Sequence, residues 1–146
     1  MAIRNIRLEK DEILRKKSRV VEKYDERIKE LIEDMFETMK VNDGAGLAAV
    51  QVGILKRIIV VEIPDHKFAL INPKIIETEG EQECEEGCLS LPNQFYKTKR
   101  PMKVKVEGLD EDFNPVTIEA EGLLAVVLSH EIDHLDGILF IDRLER

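Results

Sequence analysis

The hydrophobic positions of this 146-residue chain first fall into a helical pattern. Within residues 25–41, apolar side chains recur every three or four positions, which is typical of an amphipathic helix with one buried stripe. Asp25 is a suitable N-cap, and the breaker cluster Asn42-Asp43-Gly44 is expected to end the helix. A second apolar-rich run, residues 122–135, predicts another helix near the end of the chain.

The middle of the chain carries patterns typical of strands. One run is rich in β-branched residues and ends at Pro64, and others alternate apolar and charged positions. The predicted strands cover residues 57–63, 67–72, 74–79, 102–109 and 116–120. Pro73 is expected to separate the second from the third, and residues 93–99 are expected to form a loop. The short run 138–141 follows Gly137 and is expected to pack the chain end back on the core.

These elements predict an α+β fold. Antiparallel β-sheets are expected around the C-terminal helix, and the N-terminal helix is expected to pack on the sheet with Met35, Phe36 and Met39 in the core. The chain has no visible repeat, low-complexity tract or flexible linker, and it is long enough for a core without disulfide support. Residues 1–146 are therefore expected to form a single domain.

Composition and charge indicate the class of protein, its expected location and the ligands it is not expected to bind. Hydrophobic residues make up 43% and charged residues 36%, which is an ordinary globular composition. There is no apolar run long enough for a membrane span, and the first residues lack the apolar core of a secretory signal, so a cytoplasmic location is expected. The net charge of −8 argues against nucleic-acid binding through phosphate neutralisation.

The run His130-Glu131-Ile132-Asp133-His134 carries the strongest chemical signal. Two histidines four apart on a helix share one face and can bind one metal ion. The glutamate points about 100° round the helix, from where it can reach a water on that ion. This pattern favours a metal-assisted hydrolase with a carboxylate base, although the same string also occurs by chance on ordinary helices. The third histidine, His66, is expected at the surface in a turn.

A third protein ligand is needed, and the candidates are the many carboxylates and the two cysteines. On one strand, Cys84 and Cys88 would share a face but lie roughly 13 Å apart, which is too far for a disulfide. Cys84 is expected to be structural. Cys88, which follows Gly87 and shortly precedes Pro92, is the candidate ligand, and a small buried hydrophobe is its alternative role.

Residues 44–53 are rich in glycine and alanine, which indicates that another segment or a substrate backbone approaches closely. Gln51 lies between two valines, and if it is buried its amide needs a partner, such as an oxyanion near the metal. The alternative is a glycine-rich loop with a surface glutamine. A phosphate-binding loop is excluded because no Gly-Lys-Ser/Thr follows.

Three motifs, in this order, make the chain resemble the peptide deformylase family. They are GAGLAAVQ at residues 44–51, EGCLS at residues 86–90 and HEIDH at residues 130–134. Together they are highly specific, and the resemblance extends over nearly the whole chain. It implies a metal-dependent hydrolase that removes the N-formyl group from the N-terminal formyl-methionine of newly made polypeptides and releases formate.

The resemblance also implies a cofactor. Cys88, His130 and His134 would hold one divalent metal ion. That ion would be Fe²⁺ in the cell, and Zn²⁺, Ni²⁺ or Co²⁺ could replace it in purified protein.

Further residue roles follow from the resemblance. Glu131 would move the proton, and the Gln51 side chain and the Leu89 backbone N–H would stabilise the oxyanion. The substrate-binding residues would be Gly44, Ala45, Gly46, Gly87, Leu123, Val126 and Val127. Ordinary core packing is the alternative role for the last three of these.

The departures from the family pattern concern the substrate. The first motif commonly reads GIGLAAPQ, so Ala45 replaces an isoleucine and Val50 replaces a proline, and Ser129 stands where a glutamine is common. Residues 93–99 are bulkier than usual and would lie at the pocket mouth. The chemistry is expected to survive these changes, whereas they put the substrate range in question.

The expected partners are N-formyl-methionyl nascent peptides, with no nucleic acid and no membrane. The chain stops at Arg146, without the long C-terminal helix that some relatives use at the ribosome. Ribosome docking by that route is therefore not expected, which leaves only transient contact.

Three rival functions fit parts of the pattern. A zinc peptidase would need a third ligand after His134, for which Asp136 and Asp142 are candidates, but it would leave the EGCLS motif unexplained. A binding protein that has lost activity is opposed by the intact Cys88, Glu131 and Gln51. A purely structural metal site would need four closed ligands, which are not apparent.

Overall fold

A computed structural model describes residues 2–144. Its helices are α1 (Glu26–Val41) and α2 (Leu123–Leu135), and short 3₁₀ turns occur at Glu12–Arg15, Ala49–Val52 and Phe140–Arg143. Its strands are β1 (Gly46–Ala48), β2 (Ile58–Ile63), β3 (His66–Glu79), β4 (Gln82–Cys88), β5 (Leu91–Arg100), β6 (Lys103–Leu109) and β7 (Pro115–Glu121). No helix among these residues is long and apolar enough to cross a membrane.

Both predicted helices are confirmed. The Asp25 carboxylate accepts a hydrogen bond of 3.1 Å from the Ile28 N–H and caps α1, and the Asn42 side chain donates to the Thr38 carbonyl at 2.7 Å where the helix ends. Helix α2 begins after Gly122, whose φ of 62° lies in the left-handed region that favours glycine. Helix α2 is buried on almost every side, as a helix enclosed by sheets must be.

The strands form a five-stranded antiparallel sheet of order β1-β2-β3-β6-β7 and a separate β4-β5 hairpin. Strand β2 lies between two cores because alternate side chains point to opposite faces. Ile59 and Val61 join the core under α2, whereas Ile58 and Val60 join the core under α1. The predicted α+β arrangement, with antiparallel sheets around α2 and with α1 on the sheet, is confirmed.

The prediction that Pro73 separates two strands is wrong. Strand β3 is continuous from His66 to Glu79, pairing with β2 as far as Ile71 and with β6 from Ile71 onward. A register shift between Ile71 and Lys74 accommodates the proline, which lacks an N–H to donate to a ladder. His66 is exposed, as predicted, but it begins β3 instead of lying in a turn.

The prediction of a loop at residues 93–99 is also wrong, because these residues belong to β5. Charged residues obscure the apolar–polar alternation in this segment. Those charges make sense only when the opposite charges on the partner strand, β4, are known. Lys97 faces Glu85 and Lys99 faces Glu83 across the hairpin, and such opposite-charge pairs stabilise neighbouring strands. The consequence for function is that Cys88, the last residue of β4, lies in a β-hairpin, just after a register shift.

The segment after α2 packs back on the core, as predicted for residues 138–141. Leu139 and Phe140 are buried against Leu14 and Leu91. The local conformation is a 3₁₀ turn. In α1, Met35 and Met39 are fully buried core residues, as expected.

Candidate active site

Three metal-ligating side chains converge between the hairpin and α2. The ligand atoms of Cys88, His130 and His134 all lie within 4.8 Å of one another. The Cys88 Sγ is 3.4 Å from His134 Nε2, which in turn is 3.2 Å from His130 Nε2. The histidines meet because they are one turn apart on α2, and Cys88 reaches them from the last position of β4.

The orientation of His130 is fixed from behind by a carboxylate. His130 Nδ1 donates to Glu86 Oε1 at 2.7 Å, which leaves Nε2 facing the other ligand atoms. Burial alone would raise the pKa of Glu86, but hydrogen bonds from His130 and Arg100, and the Arg100 charge, lower it to about 2. Glu86 is therefore an ionised acceptor.

The donor set suits a divalent cation. Burial lowers the pKa of His134 well below its usual value, so this imidazole is neutral, as a metal ligand must be. Its buried Nδ1 has no hydrogen-bond partner among residues 2–144. For His130, burial lowers the pKa, but the carboxylate of Glu131 and contacts with Cys88 and Glu86 raise it to about 10. The surroundings of His130 therefore favour a positive charge at the cluster. One thiol and two imidazoles together are a donor set for zinc or iron.

Glu131 lies beside the three ligands on another side of α2. Burial raises the pKa of its carboxyl to about 7. Its Oε2 is 4.0 Å from His130 Nε2, and its buried Oε1 has no hydrogen-bond partner in the described part of the chain. A Cβ on Gly46 would lie 2.7 Å from this Oε2, so a side chain at this position of β1 would displace the carboxylate.

Gln51 is buried, with 1% of its surface exposed, so the alternative of a surface glutamine is wrong. Its Oε1 accepts from the Ala48 N–H at 2.9 Å, which fixes which end of the amide faces the site. Its Nε2 donates to Ser90 Oγ at 3.1 Å and approaches Cys88 Sγ at 3.4 Å. The amide nitrogen thus faces the ligand cluster at Cys88.

A cavity of about 550 Å³ opens onto these groups. Its lining includes Gly44, Ala45, Gly46, Gln51, Gly87, Cys88, Leu89, Leu123, Val126, Val127, His130 and Glu131. All predicted site residues except the fully buried His134 therefore line one space. Val126 and Val127 are buried walls, whereas Leu123 is 59% exposed and lies at the rim.

Close approach explains the glycines of this cavity. A Cβ on Gly44 would lie 2.7 Å from Leu89 Cδ1, and one on Gly87 would lie 2.7 Å from the Phe95 ring. Of the departures from the family pattern, Ala45 is exposed in the cavity lining, Val50 is fully buried and Ser129 Oγ donates to the Ala125 carbonyl. None of the three belongs to the group of metal-ligating residues.

Sequence reasoning missed four polar residues that surround the cluster, namely Glu86, Ser90, Arg100 and Asp133. Three of them lie inside the EGCLS and HEIDH motifs, so the motifs contained the signal. Arg100 lies outside every motif. Only the hairpin pairing brings it to the site.

The other candidate ligands are engaged elsewhere. Asp136 pairs with Arg57 and Asp142 pairs with Arg15, and neither belongs to the ligand cluster. The Cys84 thiol lies 3.4 Å from Thr98 Oγ1 and is likewise outside the cluster. Among the described residues 135–144, therefore, none supplies the third ligand that a peptidase would need.

Comparison with known proteins identifies relatives of this chain. The family model described as Polypeptide deformylase matches residues 3–146. Peptide deformylase 2 of Clostridium acetobutylicum is 54% identical over 143 residues, which cover 97% of this chain and 95% of the relative. A peptide deformylase of Acetivibrio thermocellus is 55% identical over 146 residues, which cover 100% of this chain and 86% of the relative.

Solved structures share the fold over the same length. The crystal structure of peptide deformylase from Thermotoga maritima matches with a TM-score of 0.96 and 43% identity, covering 99% of each chain. That of the Ehrlichia chaffeensis enzyme in complex with actinonin matches with a TM-score of 0.97 and 42% identity, covering 100% of this chain and 91% of the other.

Proposed function

The chain belongs to the peptide deformylase family of hydrolases, and from that premise we propose how its own residues remove the formyl group from N-formyl-methionyl peptides. The observation that carries the proposal is the convergence of Cys88, His130 and His134 on one point that faces Glu131 and Gln51 across a single cavity. We further propose that residues 1–146 act as one catalytic domain.

The family is metal-dependent, and we propose that Cys88, His130 and His134 hold the ion. Three protein ligands leave a coordination position open, as catalytic sites require. When bound, the ion would act as a Lewis acid on the attacking water and on the formyl carbonyl. Fe²⁺ is the proposed ion in the cell, with Zn²⁺, Ni²⁺ or Co²⁺ as substitutes in purified protein.

Glu131 is the proposed general base and acid. A pKa raised to about 7 by burial lets the carboxylate take a proton from water and return it to the leaving amine near neutral pH. Oε1 has no hydrogen-bond partner among residues 2–144, which leaves this carboxylate free to hold that proton. Formate and a free N-terminal amine are the products.

Gln51 and the backbone N–H of Leu89 are the proposed donors to the formyl oxygen. The hydrogen bond that Gln51 Oε1 accepts from the Ala48 N–H holds the amide in position before substrate arrives. Preorganised donors of this kind stabilise developing charge without reorganisation in the transition state. To reach the oxygen, Gln51 Nε2 would exchange its contact with Cys88 or Ser90.

The cavity supports a substrate that has a small acyl group on its N-terminal nitrogen and an apolar side chain on its first residue. The lining at Gly44, Ala45, Gly46 and Gly87 would bring backbone close to the formyl group and the peptide. Val126 and Val127 would form apolar walls for the methionine side chain, with exposed Leu123 at the entrance.

The setting of the reaction follows from the substrate. We propose that the enzyme acts in the cytoplasm on nascent chains, with at most transient contact with the ribosome. Nucleic acid is not a proposed ligand, in keeping with the net charge of −8.

Formate release is the direct test. Protein purified without oxygen and loaded with Fe²⁺ should release formate from a formyl-methionyl peptide and should leave the acetyl-methionyl peptide of the same sequence intact. Absence of formate from a fully metal-loaded preparation would refute the proposed function. Cleavage of an internal peptide bond instead would favour the peptidase alternative.

A further inference from the structure

Arg100, the last residue of β5, is a buried charged residue, with 3% of its side chain exposed. Its Nε and Nη2 donate to the two carboxylate oxygens of Glu86 at 2.8 and 3.0 Å. Its Nη1 donates to Asp133 Oδ2 at 2.6 Å. One guanidinium therefore binds two carboxylates at once, using the planar geometry that suits such pairing.

The two carboxylates belong to the two halves of the ligand cluster. Glu86 precedes Cys88 by two residues on β4, and its Oε1 accepts from His130 Nδ1 at 2.7 Å. Asp133 immediately precedes His134 on α2. Arg100 thus connects the segment that supplies the sulfur to the helix that supplies both imidazoles.

Stability alone gives little reason for such a group in the core. Removing a guanidinium and two carboxylates from water carries a large desolvation cost, and apolar residues of similar volume often give equal or greater stability. A requirement for orientation does explain the arrangement, because outer hydrogen bonds fix the ring direction of metal-binding histidines.

We propose that Arg100 is a positioning residue for the metal centre. By holding Glu86 and Asp133 together, it keeps His130 Nε2 and the Cys88 Sγ directed at one point. The inference rests on the proposed function, since it assumes that Cys88, His130 and His134 bind the ion.

Arg143 provides a matched control. Its Nε and Nη2 donate to the same Asp133, both at 3.1 Å, but its side chain is 46% exposed. Its hydrogen bonds are to Asp133, and none to Glu86 is formed in the described structure. Loss of Arg143 therefore removes an ion pair with α2 but leaves the link between the two halves of the cluster.

The experiment measures how fast the Co²⁺-loaded protein releases its metal to an excess of chelator. Removal of outer-shell partners typically weakens metal binding by about 10- to 100-fold, so Arg100→Met should release cobalt faster by a factor in this range. The absorption band of the cobalt–thiolate pair should also shift. Arg143→Met should keep both the rate, within about twofold, and the band; Cys88→Ala should lack the band.

Arg100→Lys keeps the proposal testable if the methionine variant does not fold. Lysine retains the charge but lacks the fork that binds two carboxylates, so its release rate should lie between those of the wild type and Arg100→Met. A folded Arg100→Lys protein with the wild-type rate and band would overturn the proposal, and so would a folded Arg100→Met protein with both.

A stability control separates positioning from general destabilisation. Asp34→Asn removes the charged partner of Arg4 in a second ion pair, in which Arg4 Nη2 lies 2.9 Å from Asp34 Oδ2; the Asp34 side chain, on α1, is 2% exposed and that of Arg4 is 31% exposed. This variant should lower Tm and keep the wild-type cobalt release rate. If it accelerates release as much as Arg100→Met does, the Arg100 effect is only structural and the inference fails. Formate release by the wild-type protein is scored separately, so failure of the proposed function is distinguishable.

Discussion

The two helices bury their surfaces against opposite faces of the same sheet, but they bury different chemistry. Helix α1 places apolar residues such as Ile28, Met35 and Met39 in its core. Helix α2 adds His130, Glu131 and His134 to an apolar core of its own, with two of their polar atoms left unpartnered in the described structure. Buried polar groups without partners are costly. The comparison indicates that α1 contributes mainly to stability. Helix α2 contains buried polar atoms that lower stability, and the proposed metal binding and catalysis explain why they are there.

The largest effect is expected at Glu131. Glu131→Gln keeps the shape of the side chain but removes the proton acceptor, so kcat should fall about 1,000-fold or more. The metal content should be unchanged, and the free energy of unfolding should not decrease, because the variant buries no carboxyl group of raised pKa. Steady-state formate release and thermal unfolding measure the two quantities. Full activity in this variant would remove Glu131 from its proposed role.

Cys88→Ala should separate metal binding from folding. Loss of an outer-shell partner alone typically costs about 10- to 100-fold in affinity, so loss of the sulfur ligand should weaken binding by at least about 100-fold. Elemental analysis after dialysis measures the metal content, and Cys84→Ala is the matched control on the same strand. Unchanged metal content in Cys88→Ala would remove it from the ligand set.

Gln51→Ala should reduce kcat by about 100- to 1,000-fold, the usual effect of removing one oxyanion donor. KM for the formyl peptide should change much less, because the proposed hydrogen bond forms in the transition state. Activity measured over a range of peptide concentrations gives the two constants. A rise in KM with kcat unchanged would instead make Gln51 a substrate-binding residue.

Met35→Ala, on the face of the sheet that packs against α1, should lower stability without lowering kcat. This side chain is fully buried in α1, and its truncation should lower the free energy of unfolding by about 2–5 kcal/mol. The folded fraction should keep the wild-type kcat. Denaturant unfolding combined with activity measured well below the transition checks both, and a large loss of kcat would show that the two faces are not independent.

The smallest effect is expected at the start of α1. Asp25→Ala removes the acceptor of the Ile28 N–H and should cost about 1 kcal/mol of stability. Asp25→Ser, which retains a capping oxygen, should recover most of the loss. Thermal unfolding of both variants tests the cap, and equal Tm values for Asp25→Ala and the wild type would contradict it.

The sequence predicted the two helices, and the three motifs predicted many, but not all, of the residues that line the cavity. Both signals are local, since helical periodicity and motif spacing are read within a few turns of chain. The predictions at Pro73 and at residues 93–99 were wrong because strand formation there depends on pairing with other strands. Strand β3 changes partner near Pro73, and the lysines of β5 are explained by glutamates on β4.

The network behind the ligands was the least predictable part of the site. The contact between Glu86 and His130 joins residues 44 positions apart, and Arg100 reaches Asp133 over 33 positions. Charged residues are ordinarily expected at the surface, so nothing local to Arg100 indicates burial. Only the packing of the hairpin on α2 brings these groups together.

The most direct test of the central claim is X-ray absorption at the metal edge of the zinc-loaded protein. One thiolate from the hairpin and two imidazoles from α2 should give one sulfur neighbour at about 2.3 Å and nitrogen neighbours at about 2.0–2.1 Å. The sulfur signal should disappear in Cys88→Ala. A wild-type spectrum without a sulfur neighbour, or with a fourth protein ligand closing the site, would contradict the account.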